Sequence, residues 1–352
     1  MADVTRQAID AIGAKLPTDW ILEPKTHAKG LPASADALRR VLERPEIAGF
    51  IAAYEAADPA AGRWQKIHKR WSRLAFACRF GAITVGAVAL LYVAGAIAGS
   101  GLTLALTLEY ALIIASLVAS FMLTVRKPFE KWMQERGKAE NARLDMFKLA
   151  TEAEETPRAD ELPLLPLQLE YFRRYQLDVQ RFYYRQRGTE HANGARKIKV
   201  TRLIATGVVA LAAVPACLGL LAAWAPSLLP AALVPAADLS RSHEMHIALL
   251  VLGIITSALA ELVVALSLAD LDLRNSIRYL SNADNLDVLR EKYLDDARAA
   301  AAAGDKDKVA DFIELAQVYI SSEHREWVLV RDLAQGLNLE HFAQLRLPGK
   351  RR

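Results

Sequence analysis

Cysteine is almost missing from this chain: Cys78 and Cys217 are the two thiols among 352 residues. They lie too far apart in sequence, and too alone, for a disulfide framework, a metal site or a redox pair, and read as small apolar residues inside helices. Catalytic motifs are missing as well. No glycine-rich phosphate loop, nucleophile elbow or zincin helix occurs, so no enzyme activity and no cofactor are expected. His243 and His246 flank Glu244 with ligand-like spacing, but one such pair is too little for a metal. His324 and Glu326 lack the cysteine pair that a zinc deaminase needs. The chain opens on MADVTRQAIDAIGAKLPTDW, amphipathic and charged throughout, so no cleavable signal is expected.

The fourth absence is the informative one, because charge all but disappears from four long blocks. These are Phe80 to Ala98, Thr103 to Val125, Leu203 to Ala225 and Ile247 to Ala269, and the excess behind a hydrophobic content of 53% falls in them. Each is about 20 residues long, enough at 1.5 Å per residue to cross a hydrocarbon core of about 30 Å. An all-α membrane protein follows, with four transmembrane helices as two hairpins, because backbone amides in lipid need partners within their own segment.

Orientation follows from the basic residues of the flanks. Arg63 to Arg79 holds six and no acids, Arg126 to Lys138 five against two, and Leu169 to Arg202 nine against three. The opposite flanks are GSGL, without charge, and a loop to His246 whose single basic residue is Arg241. Both termini are therefore expected in the cytoplasm, and the net charge of +4 expresses topology rather than nucleic-acid binding.

More than half of the chain remains outside the blocks and reads as helix. Residues 1–62 form a lead with breakers at Pro17, Pro24, Pro32, Pro45 and Pro59, which predicts short helices. A first hairpin module covers 63–150, its last part, KPFEKWMQERGKAENARLDMFKLA, expected to continue the second span. Residues 151–168 are an acidic, proline-bearing linker, and a second module covers 169–335 before a basic tail at 336–352. Its long first helix should start near Leu167, with interruptions at Gly188 and Gly194. Gly304 should end the helix over 270–303, and Asp305 should cap the next, whose stripe of Val309, Phe312, Ala316, Tyr319, Glu323 and Trp327 needs another helix to pack on.

Three stretches carry a family resemblance. LDVQRFYYRQRG resembles the aromatic, basic approach helix of SLATT domains, two-transmembrane effectors of bacterial conflict systems. YISSEHREWV resembles the way those domains close, and EKWMQERGKAENARL the helix after their hairpin. The fuller match covers about Tyr175 to Val330 and a partial one about Arg63 to Ala150. The resemblance implies a pore-forming, anti-phage membrane effector, a homo-oligomer with a tetramer as first expectation, switched by a nucleotide from a partner enzyme. A related arrangement, the Hailong type, pairs a channel-like effector with a nucleotidyltransferase whose short single-stranded oligonucleotides hold it shut. Four spans and a 62-residue lead depart from the simple SLATT pattern.

Two acids interrupt the apolar blocks. A charge at the bilayer centre costs at least about 2.5 kcal/mol, so Glu109 and Glu261 must face water, a partner or the bundle interior. On a helical projection Ser116, Ser120 and Thr124 fall near the side of Glu109, and Ser257 near that of Glu261. These residues are pore-lining candidates that would favour cations. Close helix packing for the hydroxyls with Glu109 reaching the outer headgroups, and a structural hydrogen bond for Glu261, are the alternatives.

Outside the blocks, EYFRRYQLDVQRFYYRQRG interleaves arginines with rings. Arg174, Arg181 and Arg185 project to one side with Tyr171 and Phe182 nearby, and Tyr184 adds a further ring. Guanidinium forks hold phosphates and rings stack bases, so Arg174, Arg181, Phe182, Tyr184 and Arg185 are candidates for a nucleotide or short single-stranded oligonucleotide. Their place at a cytoplasmic membrane boundary explains the same composition without a ligand. A ligand-gated channel is the first expectation for function, with a proton-coupled secondary transporter and a non-conducting scaffold as alternatives.

Overall fold

The computed structural model describes residues 2–12, 22–95, 97, 99–225, 227, 230–235, 243–270 and 272–321. Among the described residues the regular structure is all helical, with no strand. In order, the helices are α1 (Ala2–Asp10), α2 (Pro24–Gly30), α3 (Asp36–Leu42), α4 (Pro45–Val93), α5 (Gly101–Arg126), α6 (Pro128–Glu152) and α7 (Leu164–Phe172). A π turn, Arg173–Leu177, leads into α8 (Asp178–Trp224), followed by α9 (His243–Asp270), α10 (Asp272–Ala303) and α11 (306–321). They sort into two compact units: Met1–Arg63 with Glu130–Thr189 and Ile277–Arg352, and Trp64–Phe129 with Glu190–Ser276.

The first unit is built around α7. Every residue of α7 except Leu165 is buried, Gln168 and Glu170 included, as a helix enclosed on all sides requires. It begins at Leu164, three residues before the predicted start, because Pro166 lies in the first turn, where a missing amide costs nothing. Phe147 of α6 meets Phe172 edge-on at 6.2 Å, and Leu38, Leu42 and Ile47 close the other side of the core.

The expected linker is a strap pinned from both sides. Arg40 of α3 holds Glu161 at 2.9 Å and Glu155 at 3.0 Å, and the Leu162 amide donates to the Ser34 carbonyl at 2.7 Å. The hydrogen bond from Arg40 holds the Glu161 carboxyl down at about 2. At the other end of the unit Gly304 takes φ +77°, and the Asp305 carboxylate accepts the Lys308 amide at 3.2 Å, the expected stop and cap. Val309, Phe312 and Ala316 pack inward as a stripe, while Glu323 and Trp327 lie outside the described residues.

Three predicted breaks differ. Pro59 lies inside α4, which runs through it because Ala57 and Ala61 on either side are buried in the core. Gly188 and Gly194 leave α8 unbroken. At Gly188 the missing side chain serves packing, since a Cβ there would sit 2.8 Å from Leu280 Cγ and 3.1 Å from the Leu280 amide nitrogen. Conversely, the expected continuous helix through α5 and α6 is broken by Lys127 at φ +46°, because the following Pro128 disfavours a helical residue before it.

In the second unit α4 and α5 pack along small residues. Gly81 faces Leu112, Ala82 and Ala119 are buried, and Ser116 donates to the Ala75 carbonyl at 3.1 Å. Two helical segments are long and apolar enough to cross a membrane, α4 and the run Gly101–Glu152 that starts with α5. Their most apolar windows are only 28% and 11% buried, so neither is the enclosed core helix of a water-soluble domain. Of the other two expected spans, α9 contributes a shorter apolar stretch, Leu250–Leu266, and many side chains of 203–225 lie outside the description.

Gly188→Leu should lower the unfolding free energy of the first unit by about 1–3 kcal/mol, through overpacking against Leu280. Gly49→Ala and Gly62→Ala, whose added methyls meet nothing within 4 Å, should raise it by about 0.5–1 kcal/mol. Denaturant titrations of helical circular dichroism on the four proteins check both signs.

Candidate functional site

The apolar helices place their acids differently. Glu109 turns toward α4, and a Cβ on Gly86 would lie 2.6 Å from its Oε1, so the glycine makes the space that the carboxylate fills. Ser116, two turns on, is buried in the same seam. Ser120 is half-buried, and Thr124 is exposed with its hydroxyl returned to the Ser120 carbonyl at 3.1 Å. The projected stripe therefore starts in the contact between α4 and α5 and leaves it near the end of α5. Leu104, Tyr110, Leu117 and Phe121 turn outward instead. On α9 the pattern is reversed: Ser257 and Glu261 are exposed, and Val251, Ala258 and Val263 are buried.

The five ligand candidates of the first unit do not share a face. A π turn holds more residues than an α turn, and Arg173–Leu177 rotates everything after it by roughly a quarter turn relative to a regular helix. Arg174 precedes most of that rotation and Arg181 and Arg185 follow it. Arg181 pairs with Asp287 at 3.1 Å, and Arg185 with Asp284 at 3.0 Å and Asp287 at 2.5 Å, all acids of α10. Tyr184 is buried, stacked on Tyr279 with centroids 5.7 Å apart, and its hydroxyl donates to the Ile320 carbonyl at 2.8 Å. As a core residue it offers no open ring to a base. Phe182 is 41% exposed and does.

Arg174 instead stands over the Tyr175 ring at 5.3 Å and lines a cleft of about 540 Å³. The cleft is framed by Arg6 and Asp10 of α1, Arg173 and Arg174 of the π turn, Asp178 of α8, and Arg290 and Arg298 among residues of α10. Beneath it lies Glu170, which accepts from Arg173 Nε at 2.5 Å and from Arg298 Nε at 2.6 Å. Burial pushes the Glu170 carboxyl up, but the Arg298 hydrogen bond and the Arg173 charge outweigh it and hold the group below its usual range. Arg173 continues to Asp178 at 2.6 Å. Sequence reasoning missed this cluster because its members lie up to 128 residues apart. The one local sign is a charge, Glu170, inside the apolar run LLPLQLEYF.

Compared with family models, curated proteins and solved structures, the chain matches none.

His27 sits behind the π turn, buried, with Nδ1 hydrogen-bonded to the Tyr171 hydroxyl at 3.0 Å and its ring stacked on Tyr175 at 3.9 Å. Burial first, and the Arg174 charge second, push its pKa down from 6.5 to about 4. Below pH 6.5 the unfolded chain takes up a proton that the folded chain refuses. Stability therefore falls as the pH drops from 6.5 toward 4, by about 3 kcal/mol in all. In His27→Gln the loss between pH 7 and pH 4.5 should shrink, as thermal midpoints of the detergent-solubilised chain at both pH values will reveal; equal losses in the two proteins would refute it.

Proposed function

We propose that this chain is a homo-oligomeric membrane channel, tetrameric by first expectation, gated from the cytoplasm and serving as the pore-forming effector of a bacterial anti-phage system. Its four apolar blocks span the inner membrane as two hairpins with both termini inside, and a partner nucleotidyltransferase supplies a nucleotide or short oligonucleotide signal. The SLATT-like stretches support the defence setting, and the outward apolar face of α5 supports the bilayer.

One observation carries the channel reading: Glu261, within the apolar stretch of α9, is exposed alongside Ser257. A carboxylate pointing at lipid is untenable, so in a membrane that face must meet water or another subunit, and an axis lined by several copies provides both. Glu109 and Ser116, packed in the seam with α4, support a structural role within each hairpin. Opening then corresponds to a shift between two packings of the bundle, biased by a ligand that binds one of them better.

Full-length protein in planar bilayers should give unitary, cation-selective currents. Glu261→Gln should reduce cation preference several-fold, and Glu109→Gln should change it less. Bilayers that stay silent with the protein shown to be inserted would dismiss the channel, and selectivity unaltered by Glu261→Gln would remove that residue from the ion path.

A further inference from the structure

We infer that the cleft between α1, the π turn and α10 binds a chain of two or more phosphates, and that guanidinium contacts alone recognise it. The inference deepens the ligand-gated reading but moves its site away from Arg181, Phe182, Tyr184 and Arg185.

Among the described residues five arginines line the cleft, Arg6, Arg173, Arg174, Arg290 and Arg298, against four acids, Asp10, Asp178, Glu291 and Asp295. The pairing among them is graded. Inside, Glu170 and Asp178 hold Arg173 at 2.5 and 2.6 Å, and Glu170 holds Arg298 at 2.6 Å. At the rim the contacts lengthen, with Arg173 to Asp10 at 3.8 Å and Arg290 to Asp178 at 3.5 Å. In each of these pairs one partner is open to water, Asp10 at 53% and Arg290 at 41% exposed, and the long contact holds it only weakly. A phosphate accepting two guanidinium hydrogen bonds binds more strongly than that and can displace Asp10. Arg6 also brings a buried Nε with no hydrogen-bond partner to this cleft, a donor that an incoming oxygen would satisfy.

The lining also fixes what is not read. Among the described residues Leu294 is the single apolar one that lines the cleft and no aromatic ring lines it, so no ring there stacks a base. The volume of about 540 Å³ admits more than one phosphate group. Recognition therefore rests on the phosphates themselves, whether they come as inorganic pyrophosphate or as the tail of a nucleoside triphosphate.

Isothermal titration of the full-length, detergent-solubilised chain at low salt with pyrophosphate, and separately with ATP, tests this. Both should bind with similar affinity, and affinity should fall as salt rises. Arg6→Ala combined with Arg290→Ala leaves the Glu170–Arg173–Arg298 cluster in place and should weaken both ligands by roughly tenfold or more. Arg181→Ala with Arg185→Ala should leave both unchanged. Absence of pyrophosphate binding, binding of ATP alone, or affinity indifferent to the Arg6 and Arg290 changes would each overturn the assignment. Failure here leaves the bilayer currents untouched, so the two proposals fall separately.

Discussion

A carboxylate with almost no access to water organises the first unit. Glu170 sits on the all-buried helix α7, and removing an ion from water costs several kcal/mol unless partners replace the solvent. Arg173 and Arg298 are those partners, and each brings an element with it. Arg173 must reach back three positions to Glu170 and forward five to Asp178, the span over which the backbone adopts its π turn. Arg298 ties α10 to the same atom pair. Taking away either arginine would leave a buried charge half-compensated, a loss of about 3–5 kcal/mol, so helix order, turn type and the shape of the neighbouring cleft are all held to one side chain.

The second unit answers a different constraint. Its helices expose Leu, Ile, Phe and Tyr side chains, and contact depends on glycine, alanine and serine letting two backbones approach. Polar atoms are tolerated where such a gap receives them: Glu109 over Gly86, and the Ser116 hydroxyl on the Ala75 carbonyl. Packing of this kind suits helices whose surroundings are as apolar as their own side chains.

Much of this was legible in the sequence. The helical class, the Gly304 stop with its Asp305 cap, and the inward stripe of Val309, Phe312 and Ala316 follow from local chemistry that tertiary structure did not override. What failed was anything that a projection onto a regular 3.6-residue helix had to decide. The π turn separated Arg174 from Arg181 and Arg185, and the acids of α10, about a hundred residues later, took the latter two. Glycine misled at Gly188, where its small size rather than its backbone freedom is used. No spacing rule could bring Arg6, Arg174 and Arg290 to one cleft, because three separate elements supply them.

Pro59 leaves a mark on α4 beyond having failed to end it. A proline has no amide to offer the carbonyl one turn earlier, so the 49-residue rod is missing one rung of its ladder there. Stiffness in a helix comes from those rungs acting in series, and a gap concentrates compliance at one spot. That soft spot falls between Ala57 and Ala61, whose buried side chains clamp the helix from outside at the point where its own ladder is weakest.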